Sequence, residues 1–374
     1  MILNNESKIE LTNSSKKRMN VLILVSSISG GGAERRAVSV ANYLNEKGHN
    51  VNIVILYSSN GGYIVNKDIK IDILPNRKKN ISNSYIKKLY CIISDYISLK
   101  KIIDNNNIEK IILFHILPAI LILLLTKRLK IIASERTYPP SVPFWYAFLK
   151  KIIFSYSKVI VFQTSEQMSF FNASIRRKSV VIYNPLVENL PAPYIGIRKK
   201  EMITFCRLEK VKNLPMLING FIEFHKKFPV YKLIIYGEGT LKKYLLKYIN
   251  EARMNEIIRI KKFTNNIHEL IIDSACYIST SNYEGLSNSM LEAMAIGMPV
   301  VCTDCKGGGA REFIVNYNNG ILIAIDDIKA LAEALEYIVL NPIEAQKMGE
   351  RAIEIKKILA SEKIYEEWIR VLEC

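Results

Sequence analysis

Thirteen short apolar runs alternate with amphipathic stretches along this chain, and the alternation breaks off once and starts again. Continuous Val/Ile/Leu runs of four to seven residues are how parallel strands buried on both faces read, and the stretches between them carry helical spacing. The first series runs through 20–26, 52–57, 69–74, 110–114, 130–133, 159–163 and 179–183, with helices expected at 33–47, 85–104 and 145–155. Around Asn184-Pro185 the pattern stops, and Pro191, Pro193 and Gly196 suit a linker. The second series takes 202–206, 231–236, 257–261, 276–280, 299–303 and 320–323 as strands, with helices at 213–227, 241–253, 287–296 and 328–340. The expected fold class is therefore α/β, with two facing Rossmann-like domains at 19–190 and 191–374 after a disordered lead-in at 1–18. Doubly wound sheets bind ligands beyond the carboxyl ends of their strands, so two facing sheets place a cleft between the domains.

Several classes of protein are excluded by what the chain lacks. The strongest charge-free apolar run, 111–126, is sixteen residues long and carries His115 and Pro118, short of the roughly 20 residues a spanning helix needs. The first eighteen residues are polar, and the apolar stretch after Met19 runs into Gly30-Gly31-Gly32 without a small-residue cleavage site, so no secretion signal is expected. Six scattered cysteines fit a reducing compartment rather than a disulfide framework. A cytosolic protein follows from these features.

The net charge of +17 is unevenly divided: residues 1–195 hold 27 Lys/Arg against 12 Asp/Glu, and the rest hold 25 against 23. Such asymmetry suggests a first half that faces something anionic, either nucleic acid or the inner face of a membrane. A compositional bias toward Lys, Asn and Ile is the alternative cause. The expected membrane patch draws on Arg77-Lys78-Lys79, Lys87-Lys88, Lys100-Lys101 and Lys150-Lys151, interleaved with Tyr85, Tyr90, Trp145 and Tyr146. Leu89, Ile93, Tyr96 and Ile97 line one side of the same helix, which reads equally well as ordinary core.

The most specific constellation runs from Ser281 to Val300. Glu284 lies in a strand-to-helix loop, and Glu292 lies in a helix that Met290, Leu291, Ala293, Met294 and Ile296 make apolar almost all round. A carboxylate there is costly unless partnered. The spacing of Ser289 and Glu292 also fits a capping box.

This stretch resembles family 4 of the GT-B glycosyltransferases, whose second domain carries two glutamates eight positions apart, a Leu-Glu-Ala-Met-Ala helix and Gly-x-Pro-Val-Val. Glu284, Glu292, Gly297, Pro299, Val300 and Val301 match in order. Arg207-Leu208 and Lys212-Asn213 resemble the family's Gly-Arg-Leu with downstream Lys-Asn, with Cys206 in place of the glycine. Ile235-Tyr236-Gly237-Glu238-Gly239 falls at the family's strand-to-glycine turn. In the first half, Gly30-Gly31-Gly32-Ala33-Glu34-Arg35 resembles the family's Gly-Gly-Ala-Glu-Arg loop. Ser134-Glu135-Arg136 and Tyr183-Asn184-Pro185-Leu186 resemble the branch that extends lipid-linked or lipopolysaccharide saccharides in bacteria.

The resemblance implies a retaining transferase that needs no metal and moves a hexose or N-acetylhexosamine from a nucleotide sugar, a UDP-sugar, to a lipid-linked or lipopolysaccharide (O-antigen) glycan. It implies that Arg207, Lys212, Gly237 and the Gly285-Leu286-Ser287-Asn288 helix start hold the donor diphosphate, that Glu292 accepts from ribose hydroxyls and that Glu284 accepts from the transferred sugar. A guanidinium forks onto phosphate oxygens and a lysine adds a point charge, so the residue types suit that task. Gly31, Gly32, Glu34, Glu135 and Arg136 fall on the acceptor side of the cleft. His115, at the carboxyl end of the 110–114 strand, is either the acid/base residue or a satisfied core histidine.

Rival readings fare less well. A dinucleotide fingerprint needs glycine where Arg35 stands and an acid about 20 residues on, where 51–61 has none. A nucleic-acid-binding α/β protein using the basic half is the remaining alternative, but its charges form no reader motif, and nucleic acid is not the expected partner. Cys302-Thr303-Asp304-Cys305 is a lone pair that cannot supply four zinc ligands, and Asp326-Asp327 is expected to cap a helix.

Overall fold

The computed structural model describes residues 18–29, 31–56, 62–74, 85–114, 129–136 and 143–374. His115, Gly30 and Arg77-Lys78-Lys79 lie outside these residues, as do most of the lead-in and the side chains of Tyr85, Lys87, Lys88, Leu89 and Tyr90.

Two parallel sheets form as the alternation requires. The first comprises β1 (Asn20–Val25), β2 (Asn50–Ile55), β3 (Lys70–Ile73), β4 (Lys110–Leu113), β5 (Lys130–Ser134), β6 (Val159–Phe162) and β7 (Ser179–Val181). Its strand order is β3-β2-β1-β4-β5-β6-β7, and Val21 pairs with both Val51 and Lys110 where the order reverses. The second comprises β8 (Lys199–Phe205), β9 (Lys232–Tyr236), β10 (Ile258–Lys261), β11 (Ser274–Ser279), β12 (Val300–Thr303) and β13 (Ile321–Ile323), ordered β10-β9-β8-β11-β12-β13. The reversal there falls between β8 and β11, where Cys276 pairs with Met202. Each sheet thus opens a crevice at its reversal, at the carboxyl ends of its central strands.

The core is continuous between the halves. One apolar cluster runs from Ile23 and Phe114 through Trp368 to Met294 and Val300, and separate clusters fill the other face of each sheet. Trp368 belongs to the final helix, Ser361–Glu373, which follows the second sheet in sequence but packs on the first. Its Tyr365 stacks on Tyr43 at 4.8 Å and its Trp368 on Phe114 at 5.4 Å, while Lys110 Nζ donates to the Leu372 carbonyl. A second domain taken as 191–374 therefore includes one helix that is part of the first by packing. The cause is the apolar stripe of Ile364, Trp368, Ile369 and Leu372, whose hydrophobic partner is the first sheet's layer. The chain crosses between halves twice, and the crossings hold each other where Leu186 N–H donates to the Leu359 carbonyl at 3.1 Å.

Candidate active site

The second domain supplies its cations from the turn after β8. Arg207 is exposed, and its side chain has no partner among the described residues. Lys212 closes the single helical turn Lys210–Lys212, and Asn213 follows in the left-handed region at φ 45°, a conformation that asparagine tolerates better than most residues. Asn213 Nδ2 donates to Asn282 Oδ1 at 2.8 Å, and Thr280 Oγ1 donates to the Lys212 carbonyl at 3.0 Å, so the turn is tied to the end of β11. Lys212 Nζ reaches both carboxylate oxygens of Glu284 at 2.7 Å. Burial pushes the Lys212 pKa down, but the Glu284 carboxylate outweighs it and the net shift is upward. Cys206, where the family has glycine, is held neutral because burial pushes its thiol up to about 11. Gly237 touches this turn from beneath: a Cβ there would come within 2.0 Å of the Cys206 carbonyl oxygen. Close backbone packing thus accounts for Gly237, which supports the cation loop from below.

Glu284 is placed by its own loop. Ser281 Oγ donates to Glu284 Oε2 at 2.9 Å, and Glu284 N–H donates to the Lys306 carbonyl at 2.9 Å. Gly307, at φ 99°, lies so close that a Cβ would meet the Glu284 carbonyl oxygen at 2.2 Å. Leu286 and Ser287 are buried, and the helix Asn288–Ala295 begins directly after them. Its cap is Ser287, whose Oγ accepts from Met290 N–H. Ser289 is not a cap: its hydroxyl pairs with the Tyr277 hydroxyl at 2.8 Å, so the capping box with Glu292 does not form. Glu292, only 7% exposed, instead meets His268 Nε2 at 2.9 Å and stands 3.8 Å from Arg35 Nη1 of the first domain.

The first domain brings a second helix start to the cleft. Gly31 caps the helix Gly32–Glu46, and the Glu34 carboxylate folds back over it. A Cβ at Gly31 would lie 2.1 Å from Glu34 Oε2, so any side chain there would displace the Glu34 carboxylate from its place over the helix start. Ser26 Oγ holds the other oxygen of Glu34 at 2.5 Å. A Cβ at Gly32 would lie 3.7 Å from Asn288 Nδ2, so the first residues of the two helices meet across the cleft.

Two residues expected on the acceptor side turn inward. Glu135 is buried in an ion pair with Lys150 at 2.5 Å, which removes its carboxylate from the cleft and removes Lys150 from the surface patch. Arg136 donates to Ser134 Oγ and Asn184 Oδ1 and lies over the rings of Phe114 and Trp368 at 5.2 and 5.8 Å. Burial, with Arg36 nearby, lowers its pKa to about 9. Arg136 thereby clamps the first crossing and the final helix to the first sheet.

Beside the shared apolar core, specific polar contacts join the halves. Asn184 Nδ2 donates to Asn288 Oδ1 at 2.8 Å, Thr164 Oγ1 donates to the Gly307 carbonyl at 2.6 Å, and Gly307 N–H donates to Glu166 Oε1 at 2.9 Å. A cavity of about 310 Å³ opens where they meet, lined by Arg35, Arg36, Ser39, Asn288, Glu292 and Tyr365 among others. Arg36, also lining it, donates to the Pro185 carbonyl and to the Tyr365 hydroxyl, and burial lowers its pKa to about 10. Of these residues His268, Arg36 and Tyr365 carry no motif in the sequence. Their roles depend on partners 24 to 329 positions away. Asp327 caps the helix Ile328–Leu340 as expected.

Residues 195–355 match the family model of Glycosyl transferases group 1. The poly(ribitol-phosphate) alpha-N-acetylglucosaminyltransferase of Staphylococcus aureus is 32% identical over 166 residues, 44% of this chain and 34% of that protein. The N-acetylgalactosamine-N,N'-diacetylbacillosaminyl-diphospho-undecaprenol 4-alpha-N-acetylgalactosaminyltransferase of Campylobacter jejuni is 31% identical over 164 residues, 43% of this chain and 44% of that protein. The chain thus spans less than half the length of these relatives. The whole fold matches Anabaena HepE, solved in complex with UDP and glucose, with a TM-score of 0.77 at 16% identity, covering 95% of this chain and all of that one. The fold is thus that of GT-B structures throughout, and residues 195–355 carry the match to group 1 glycosyl transferases.

Proposed function

We propose that the protein is a retaining glycosyltransferase of GT-B family 4 that moves a hexose or N-acetylhexosamine from a UDP-sugar to a lipid-linked or lipopolysaccharide glycan in bacterial surface-polysaccharide synthesis. The observation that supports this reading is the meeting of two helix starts, at Gly32 and Asn288, the second of them following the loop whose Glu284 is paired with Lys212. Helix starts present unsatisfied N–H groups and partial positive charge, which suits a diphosphate. As the sugar leaves, charge develops on that diphosphate, and the same donors stabilise it. On this reading Glu284 accepts from the transferred sugar, and the chemistry needs no metal because the cations and helix starts supply the positive charge. Retention is supported by the alpha products in both relatives' names, since UDP-hexosamines are themselves alpha-linked.

The acceptor is proposed to be lipid-linked, as the C. jejuni relative's name describes for that enzyme. Among the described residues no helix is long and apolar enough to cross a membrane. The helix Phe144–Tyr156 exposes Phe144 at 88%, Trp145 at 56% and Phe148 at 57%, with Lys151 beside them, and Ile93, Ile97, Lys100 and Lys101 are exposed on Tyr85–Asn105. Aromatic and basic groups together suit the headgroup region of an anionic leaflet. The test is incubation with UDP-glucose, UDP-galactose, UDP-GlcNAc and UDP-GalNAc, with GDP-mannose as control. Slow UDP release from one UDP-sugar is expected; turnover of GDP-mannose alone, or of none, would overturn the reading.

A further inference from the structure

We propose that His268 is a positioning residue for nucleotide recognition, holding Glu292 in the orientation that receives the donor's ribose diol. The inference rests on the reading of Glu292 given above and extends it to a residue that no motif marks.

Glu292 projects from a helix that is otherwise apolar, and its two oxygens meet different domains. Oε2 is 2.9 Å from His268 Nε2, within hydrogen-bond distance, whereas Oε1 is 3.8 Å from Arg35 Nη1, beyond it. An ionised carboxylate only accepts, so Nε2 carries the hydrogen. Oε1 keeps acceptor capacity, and Glu292 lines the cavity between the halves together with Ser39 and Asn288. A vicinal diol presents two donors side by side, the complement of a carboxylate held at one end.

His268 is itself rigidly held. It sits on the short helix Ile267–Ile271, whose two terminal isoleucines are buried, and its ring meets the edge of Phe205 at 5.9 Å. Phe205 ends β8, directly before the cation turn. His268 and Arg35 thus draw the same carboxylate from opposite domains. Without His268, the cations left near Glu292 among the described residues, Arg35 and Arg36, both belong to the other domain. Glu292 would then swing with interdomain opening instead of staying fixed to the donor domain.

The test measures UDP and 2′,3′-dideoxy-UDP binding by calorimetry on the full chain. His268→Ala is expected to weaken UDP about tenfold, the worth of one hydrogen bond to a charged group, and to leave the dideoxy nucleotide unchanged. The UDP-sugar KM should rise similarly with little change in kcat. His268→Gln, which keeps an N–H donor, should recover most of the loss. Equal weakening of both nucleotides, or none of UDP, would overturn the role of His268. Glu292→Gln that binds both nucleotides as the parent does would instead overturn the reading of Glu292 itself.

Discussion

Lys212 Nζ lies 2.7 Å from each carboxylate oxygen of Glu284, and the lysine side chain is only 12% exposed. The pair joins the turn after β8 to the loop after β11, the two strands between which the second sheet reverses. Charges that are proposed to hold a diphosphate and a sugar are thus held in place by each other.

Removing one partner leaves the other charge poorly solvated. Lys212→Met is expected to destabilise the protein by about 2 kcal/mol at neutral pH, below the usual cost for a fully buried pair because Glu284 is 24% exposed. The pKa of Lys212 is raised on folding, since Glu284 outweighs burial, so the folded chain holds that proton more tightly than the unfolded one. The pair's contribution is therefore complete below the ordinary lysine value of about 10.4 and is lost as pH rises through the higher folded value. Urea midpoints of parent and variant should therefore draw together as pH rises beyond the ordinary lysine value. A gap that stays constant there would show that Lys212 does not titrate with the pair.

Arg207 makes the opposite prediction. It is exposed and has no partner among the described residues, so Arg207→Ala should leave the melting temperature unchanged. UDP binding should weaken by about 2 kcal/mol, the usual worth of a charged hydrogen bond. Calorimetry with an unchanged UDP affinity would remove Arg207 from the donor site.

The final helix tests how the halves are joined. Trp368→Ala should cost about 3–5 kcal/mol, because a fully buried ring that packs on both Phe114 and the Arg136 guanidinium is lost. Although Trp368 follows the second sheet, amide exchange should quicken in β1 and β4 of the first. Faster exchange confined to the second sheet would contradict the packing.

The thirteen strands of the described residues were legible, with ends off by at most three residues: burial on both faces writes the central strands as unbroken apolar runs, while the half-exposed edge strands Lys70–Ile73 and Ile258–Lys261 keep their isoleucines at every second position. The stripe of Ile364, Trp368, Ile369 and Leu372 was equally present, but nothing local says which of two similar sheets it covers. Glu292 was legible as a carboxylate in need of a partner from the apolarity of its helix, whereas His268 was not legible as that partner, since a lone histidine acquires meaning only from a group 24 residues on. Glu135 misleads for the same reason. Its neighbours in sequence suggest the cleft, and Lys150 draws it inward.

The adjacent lysines 150 and 151 make the last prediction. In sequence they form one basic pair, but consecutive helical residues point about 100° apart, and here one is buried and the other exposed. Lys150→Met should destabilise the protein by about 3–5 kcal/mol by taking its cation away from the buried Glu135 carboxylate. Lys151→Met should change stability by less than about 0.5 kcal/mol. Binding to vesicles should divide the other way. Combined with Trp145→Ser and Phe148→Ser, Lys151→Met removes a charge worth about 1 kcal/mol at an anionic surface and the aromatic groups expected to enter the headgroup layer. The parent should sediment with vesicles containing anionic lipid and come off as salt screens the attraction, and the triple variant should remain in solution while folding normally. Equal binding of the parent to neutral and anionic vesicles, or binding to neither, would detach the charge of the first half from any membrane role.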